Sequence, residues 1–439
     1  MRKGAHGPSV TENPPDAGHA EADADNEETT MNPVQKQSRR KVLKTIGATG
    51  ALLCAPAIVR SQAPSTIKVG WAISKTGPFA GGAAVTQWPN YLLWIKDVND
   101  AGGLRIGGRK VMLEHVEYDD RSQSEEAVRA CERLVNQDKV DIMLPPWGTG
   151  MNLAVAPIFH RAGMPMMTGS FVSDRIPEVV KRWNNVFVML NTAETYAVAL
   201  VEQLKAMRAA GQINDSIAMV HVTEGFGLEL ANAGRKAAAA GGFKLAMDRG
   251  YPIATQDLSP IIAEAQRTSA DTFVAFSYPP DTMGLTEAAR VRAYNPKVFY
   301  SAVGTFFPVY RDRFKENADG VLGIGGWNPD SQAFRDYIAR HVVMHKREPD
   351  RWGASLFYAG LQAMQQAIEK VGKMDNPAIV AELSKGTFPT IVGPVKFRNN
   401  VREGGWYVGQ WQDGDFVGVG PKQPGARAVR VPKPAWKAA

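Results

Sequence analysis

The chain has 439 residues, 44% of them hydrophobic, which is enough for two domains with real cores. Its 51 basic and 44 acidic side chains leave a small positive excess, and no basic run interleaved with aromatics accompanies it, which argues against nucleic acid as a partner. Beyond residue 63 no segment is apolar enough to span a bilayer, and Cys131 is the single cysteine there, which excludes an intrachain disulfide in that portion.

Residues 1–30 are acidic, contain proline and carry few large apolar side chains, so this stretch reads as disordered or untranslated, with Met31 as a plausible start. The run Ser38-Arg39-Arg40-Lys41-Val42-Leu43-Lys44 stands immediately before a soft hydrophobic stretch, Thr45 to Val59. At fifteen residues that stretch is too short for a membrane helix, which needs roughly 20. Residues 31–63 therefore read as a signal peptide of the twin-arginine type, directing the chain to the periplasm. Cleavage after Ala63 or after Ala57 fits the small residues there, and Leu53 before Cys54 argues against a lipid anchor. The remaining 376 residues carry 43 basic against 37 acidic side chains, a net +6.

From residue 66 a βαβ rhythm begins: a strand at Ile67–Ala72, a helix near Thr86–Ala101 and a strand at Val111–Tyr118. Ser122 and Glu125 have capping-box spacing ahead of a helix to about Gln137, whose apolar face includes Ala127, Cys131, Leu134 and Val135. Cys131 is thus a core residue. A strand at Ile142–Leu144, a helix to about Ala162 and a strand at Met164–Thr168 complete one winding. The rhythm restarts with strands at Ser216–Val222, Lys244–Tyr251, Thr272–Phe276 and Lys297–Ser301. Helices near Gly227–Ala240, Leu258–Thr268 and Asp281–Ala293 separate them. After Trp327 come two long helices, near Ser331–Lys346 and Ala354–Val371, then strands at Val395–Phe397 and Tyr407–Trp411. The fold class is α/β: two similar halves, each an open, mostly parallel sheet flanked by helices, with a tail able to return to the first half.

No Walker loop, GxSxG elbow, GxGxxG fingerprint or HExxH helix occurs, so no cofactor, metal or enzymatic reaction is expected. His341 and His345 share a helical face, but Val342 stands where a zincin carries glutamate, so they read as solvated helix histidines. Ligands of open α/β sheets bind at the carboxyl ends of strands, and the loops there are suggestive. They are Thr76-Gly77-Pro78-Phe79, Trp147-Gly148-Thr149-Gly150, Thr168-Gly169-Ser170-Phe171, Glu224-Gly225-Phe226-Gly227 and Ser277-Tyr278-Pro279-Pro280. Glycine lets backbone approach a ligand, a threonine hydroxyl can donate to a carboxylate, and aromatics supply apolar walls.

The order and spacing of Ile67-Lys68-Val69-Gly70, Thr76-Gly77-Pro78, Asn99-Asp100-Ala101-Gly102-Gly103, Gly108-Arg109-Lys110 and Tyr118-Asp119-Asp120 resemble the leucine/isoleucine/valine-binding proteins of ABC importers, from about Thr66 to Trp411. The resemblance implies a two-lobed type I periplasmic binding protein with three crossovers, closing on a small ligand that passes to a membrane permease. Residues 64–190 with 327–397 would form the N-terminal lobe, and 191–326 with 398–439 the C-terminal lobe. By the same resemblance Thr149 and Gly150, beside Gly148, hold the ligand carboxylate, and Ser170 is a backbone-contact position. Phe79, Trp147, Phe171, Phe226, Tyr278 and Phe306 stand at or near the cleft mouth. Two positions depart from the pattern. Val172 replaces a frequent threonine, and Val303 replaces the acid that pairs with the ligand ammonium; Glu224 or Asp281 could supply that acid, or the ligand lacks an amine. The expected protein is a monomeric binder of an amino acid, an aromatic or branched carboxylate, or an amide. The alternative is a ligand-sensing subunit of the same fold that signals to a receptor or regulator.

Overall fold

The structure, a computed structural model, describes residues 66–327, 330–420 and 425–437; the expected leader and signal peptide lie outside them. The strands in chain order are β1 Thr66–Ile73, β2 Leu104–Ile106, β3 Arg109–Asp119, β4 Ile142–Leu144, β5 Met166–Thr168, β6 Val186–Val188, β7 Ser216–Val222 and β8 Lys244–Tyr251. They continue with β9 Thr272–Phe276, β10 Val298–Ser301, β11 Leu322–Ile324, β12 Thr387–Thr390, β13 Gly393–Arg398, β14 Val401–Arg402, β15 Val408–Gln412 and β16 Asp415–Gly418. Three sheets result, in the orders β2-β3-β1-β4, β12-β13-β14-β6-β5 and β16-β15-β11-β10-β9-β7-β8.

The first two sheets share a lobe because one helix, Gly353–Val371, packs against strands of both. Its sequence gives it a nearly continuous apolar surface, with Leu356, Leu361, Met364 and Ile368 buried, and Gly372 at φ 71° ends it in the left-handed conformation that favours glycine. The third sheet forms the other lobe. Its central strands β9 and β10 are buried along their whole length, as parallel strands covered on both faces require. The hairpins β2–β3, β12–β13 and β15–β16 add the antiparallel edges.

The chain passes between the lobes three times: after β6, after β11 and after β14. Side chains tie these crossings together. Arg402 Nε donates to Met189 O (2.7 Å) and Asn191 Nδ2 to Gly404 O (3.3 Å), while Trp406 Nε1 donates to Thr195 Oγ1 at 3.1 Å.

Several local expectations change. The Ser122–Glu125 capping box does not form: Gln123 takes the N-cap position, and Ser122 adopts φ 60°. The Ser122 hydroxyl instead accepts from Phe79 N (3.0 Å) and donates to Thr76 O (2.7 Å), so tertiary bonds to the first loop outcompete the local cap. Neither histidine is fully solvated, His345 being half-buried. His341 is buried with Nδ1 3.0 Å from Arg347 O, and His345 Nε2 lies 2.9 Å from Pro89 O. Burial pushes the His341 pKa down to about 4. Among the described residues no group of three metal-ligating side chains exists. Cys131 is buried in the core.

Candidate functional site

Between the lobes lies a cavity of about 60 Å³. One water needs roughly 10–15 Å³, so the space suits a small solute. Its walls come from both lobes and from the crossings. The first lobe gives Thr86, Trp147, Gly148, Thr149, Gly169, Ser170, Val172, Gly353 and Phe357; the second gives Tyr196, Phe226, Tyr278, Val303, Phe306 and Ile324; the crossings give Leu190, Trp352 and Trp406. No Asp, Glu, Lys, Arg or His is among them. A larger groove of about 1290 Å³ lies on the first lobe beside Ile176 and Asn400, but the second lobe's sheet contributes no wall to it.

One end of the cavity is rich in hydrogen-bond donors. Helix Thr149–Arg161 begins there with Gly148 at φ 108°, a backbone conformation in which glycine carries no steric penalty. Its first N–H groups have no partner within the helix and carry the positive end of its dipole. Ser170 Oγ accepts from Gly148 N (3.0 Å) and from Asn152 Nδ2 (3.2 Å), which leaves its own proton free to donate. Thr149 Oγ1 is already engaged with the Val172 backbone, accepting from Val172 N at 3.2 Å and donating to Val172 O at 3.3 Å. The hydroxyl expected to serve a ligand thus positions a loop, and Ser170 is the freer donor.

The remaining walls are aromatic. Tyr278 stacks on Phe226 at 5.0 Å between centroids and meets Trp147 at 5.6 Å and Phe79 at 4.9 Å, so rings of the two lobes touch. Trp147 is fixed by donating Nε1 to Thr86 Oγ1 at 2.9 Å. Gly82 lies beneath it: a Cβ there would meet the Trp147 ring at 2.3 Å. Burial raises the phenol pKa of Tyr196 and Tyr278 above the ordinary value, so both are neutral donors.

Of the residues singled out from sequence, Trp147, Gly148, Thr149, Ser170, Val172, Phe226, Tyr278, Val303 and Phe306 line this cavity, and Gly150 does not. Phe79 stands behind Trp147 and Tyr278, and Phe171 is buried in the core. Glu224 caps helix Gly225–Ala240, its Oε2 accepting from Phe226 N (3.0 Å) and Tyr278 OH (2.7 Å). Its other oxygen approaches Gly150, where a Cβ would lie 2.9 Å from it. Asp281 is buried in the first turn of helix Pro279–Val291, away from the walls, and burial raises its pKa to about 6. Neither acid is among the wall residues, although Glu224 is bonded to two of them. The sequence reading missed Tyr196, Trp352 and Trp406. Their signal was an aromatic beside a change of element, as in Gly404-Gly405-Trp406 and Trp352-Gly353, but only the crossings bring them together.

A family model described as periplasmic binding protein matches residues 66–415. Leu/Ile/Val-binding protein homolog 7 of Brucella abortus (strain 2308) is 25% identical over 362 residues, covering 77% of this chain and 88% of its own length. The branched-chain amino acid transporter substrate-binding protein LivJ of Streptococcus pneumoniae, solved with isoleucine, superposes with a TM-score of 0.70 at 18% identity, covering 84% of this chain and all of its own. An ABC-transporter solute-binding protein of Rhodopseudomonas palustris BisB5, solved with 3,4-dihydroxybenzoic acid, gives 0.70 at 18% identity, covering 82% and 99%. The family match over most of the chain, on a two-lobed α/β fold of the same architecture, makes this chain a member of the periplasmic binding protein family, similar to the leucine/isoleucine/valine-binding proteins.

Proposed function

We propose that the chain is the solute-binding component of an ABC importer, closing on a small carboxylate whose body is aromatic or branched and which carries no ammonium group. The observation behind this reading is the asymmetry of the cavity wall: donors for an anion at the Gly148–Ser170 end, and no acid among the wall residues for a cation. A carboxylate there would accept hydrogen bonds from the Ser170 hydroxyl and from the free N–H groups of the helix start. A buried ammonium without a partner would cost several kcal/mol. The Rhodopseudomonas neighbour's aromatic acid supports this class, and the Streptococcus neighbour's isoleucine supports the competing one. Delivery to a membrane permease, action as a monomer and export by the twin-arginine route complete the proposal. No covalent chemistry is part of it.

The test is a thermal-shift series on protein unfolded and refolded to remove carried ligand, with 3,4-dihydroxybenzoate, benzoate, leucine and isoleucine as probes. A ligand at about 1,000 times its Kd stabilises by about 4 kcal/mol, a shift of several degrees. We expect that shift with the aromatic acids. A shift with the amino acids alone overturns the amine-free reading and turns attention to Glu224.

A further inference from the structure

The lobes meet through more than aromatic contacts. Glu229 lies three residues beyond Phe226, on the helix Gly225–Ala240 of the second lobe. Its Oε1 accepts from Ser173 Oγ at 2.9 Å and its Oε2 from Asp174 N at 3.1 Å, both on the first lobe. Ser173 is fully buried, and its hydroxyl also accepts from Arg175 N at 3.0 Å, so the loop is held in one shape. Asp174 in turn reaches the second lobe with Oδ1, accepting from Glu194 N at 2.7 Å in the first turn of helix Ala193–Ala209. Hydrogen bonds to a carboxylate are stronger than neutral ones, and a side chain that takes two at once is fixed in direction.

We propose that Glu229 is a closure latch, a positioning residue that holds the lobes together through Ser173 and Asp174 and raises ligand affinity without touching the ligand. The latched loop follows directly on Ser170 and Val172, which line the cavity, whereas Glu229 does not line it. A solute seated against Ser170 and the latch therefore favour the same closed state, and each strengthens the other. The inference rests on the proposed binding role only for the purpose that closure serves.

The experiment places spin labels on cysteines introduced at two exposed sites, Val343 on the first lobe and Val291 on the second; Cys131, being buried, takes no label in the folded protein. Inter-label distances are measured without ligand and again with saturating 3,4-dihydroxybenzoate. Glu229→Ala is expected to lower the ligand-free ratio of closed to open forms about tenfold and to raise the probe's Kd by a similar factor. Ser173→Ala should give a smaller loss of the same sign. Glu229→Gln, which retains an acceptor, should fall between wild type and Glu229→Ala. A wild type with no closed population, or a Glu229→Ala protein with unchanged distances, overturns the latch. Absence of probe binding to wild type counts against the ligand class alone, since the ligand-free distances decide the latch independently.

Discussion

At the scale of single residues, selectivity turns on Val303 and Ser170. Val303 places an apolar side chain on the cavity wall while its carbonyl accepts from Thr282 Oγ1 at 2.6 Å, so its backbone is anchored and a larger side chain must point into the space available. Val303→Glu would set a second carboxylate near a bound acid. At an effective dielectric of about 20 and a separation of ~6 Å, two like charges repel by about 3 kcal/mol, roughly a hundredfold in Kd. Calorimetric titration should show that loss for 3,4-dihydroxybenzoate together with a gain of isoleucine binding. Unchanged affinities for both would sink the placement of this pocket. The loops carrying these residues were legible in the sequence, because glycine beside hydroxyl and aromatic residues after a strand is a local pattern. That Thr149 would turn its hydroxyl to the Val172 backbone was not, since the partner lies 23 residues away.

Among the elements, helix Gly353–Val371 depends on a buried cap just ahead of Trp352 and Gly353, which line the cavity. Asp350 is buried and accepts from Trp352 N (3.0 Å), Gly353 N (2.5 Å) and Ala354 N (2.8 Å). Burial raises its pKa to about 7 even against these three donors. In the unfolded chain the carboxyl titrates near its ordinary value of 3.8. Between about pH 4 and 7 the folded state therefore binds the additional proton, and the stability owed to this group falls as pH rises through that window and levels off above it. Asp350→Asn keeps an acceptor and removes the titration, so the stability of wild type relative to the variant should decline from pH 4 to 7 in urea unfolding. Asp350→Ala leaves the three N–H groups without their acceptor and should cost about 1–2 kcal/mol at pH 5. A difference between wild type and Asp350→Asn that does not vary with pH would show that the carboxyl titrates normally when folded.

For the molecule as a whole, three crossings mean that the cavity exists only when both lobes are folded and joined. Cys131 reports this from the first lobe: it is buried, and burial holds its thiol pKa well above the ordinary value. A disulfide reagent should leave it unmodified in the folded protein and label it as the lobe opens. With 3,4-dihydroxybenzoate at about 100 times its Kd, labelling through a rapidly exchanging open state should slow roughly a hundredfold. No slowing despite a measured thermal shift would mean that the first lobe opens while ligand stays bound.

The sequence by itself determined the alternation of elements, the bounds of strands β7, β8 and β9 to the residue, and the family resemblance. Each depends on periodicity or spacing between neighbours in the chain. Strands β2, β6 and β11 and helix Ala193–Ala209 escaped it. The three strands have only three residues each, too few to show a period; the helix buries one regular stripe, Ala193, Tyr196, Ala197, Leu200, Val201, Leu204 and Met207, so its periodicity was present in the sequence. Only the tertiary structure decided which side chains face the solute. Leu190, Ile324, Trp352 and Trp406 are separated by up to 216 residues yet share one wall, because the crossings place distant segments side by side. The same folding kept Glu224 and Asp281 out of the wall itself: Glu224 is bonded to Phe226 N and the Tyr278 hydroxyl, and Asp281 is buried in its helix.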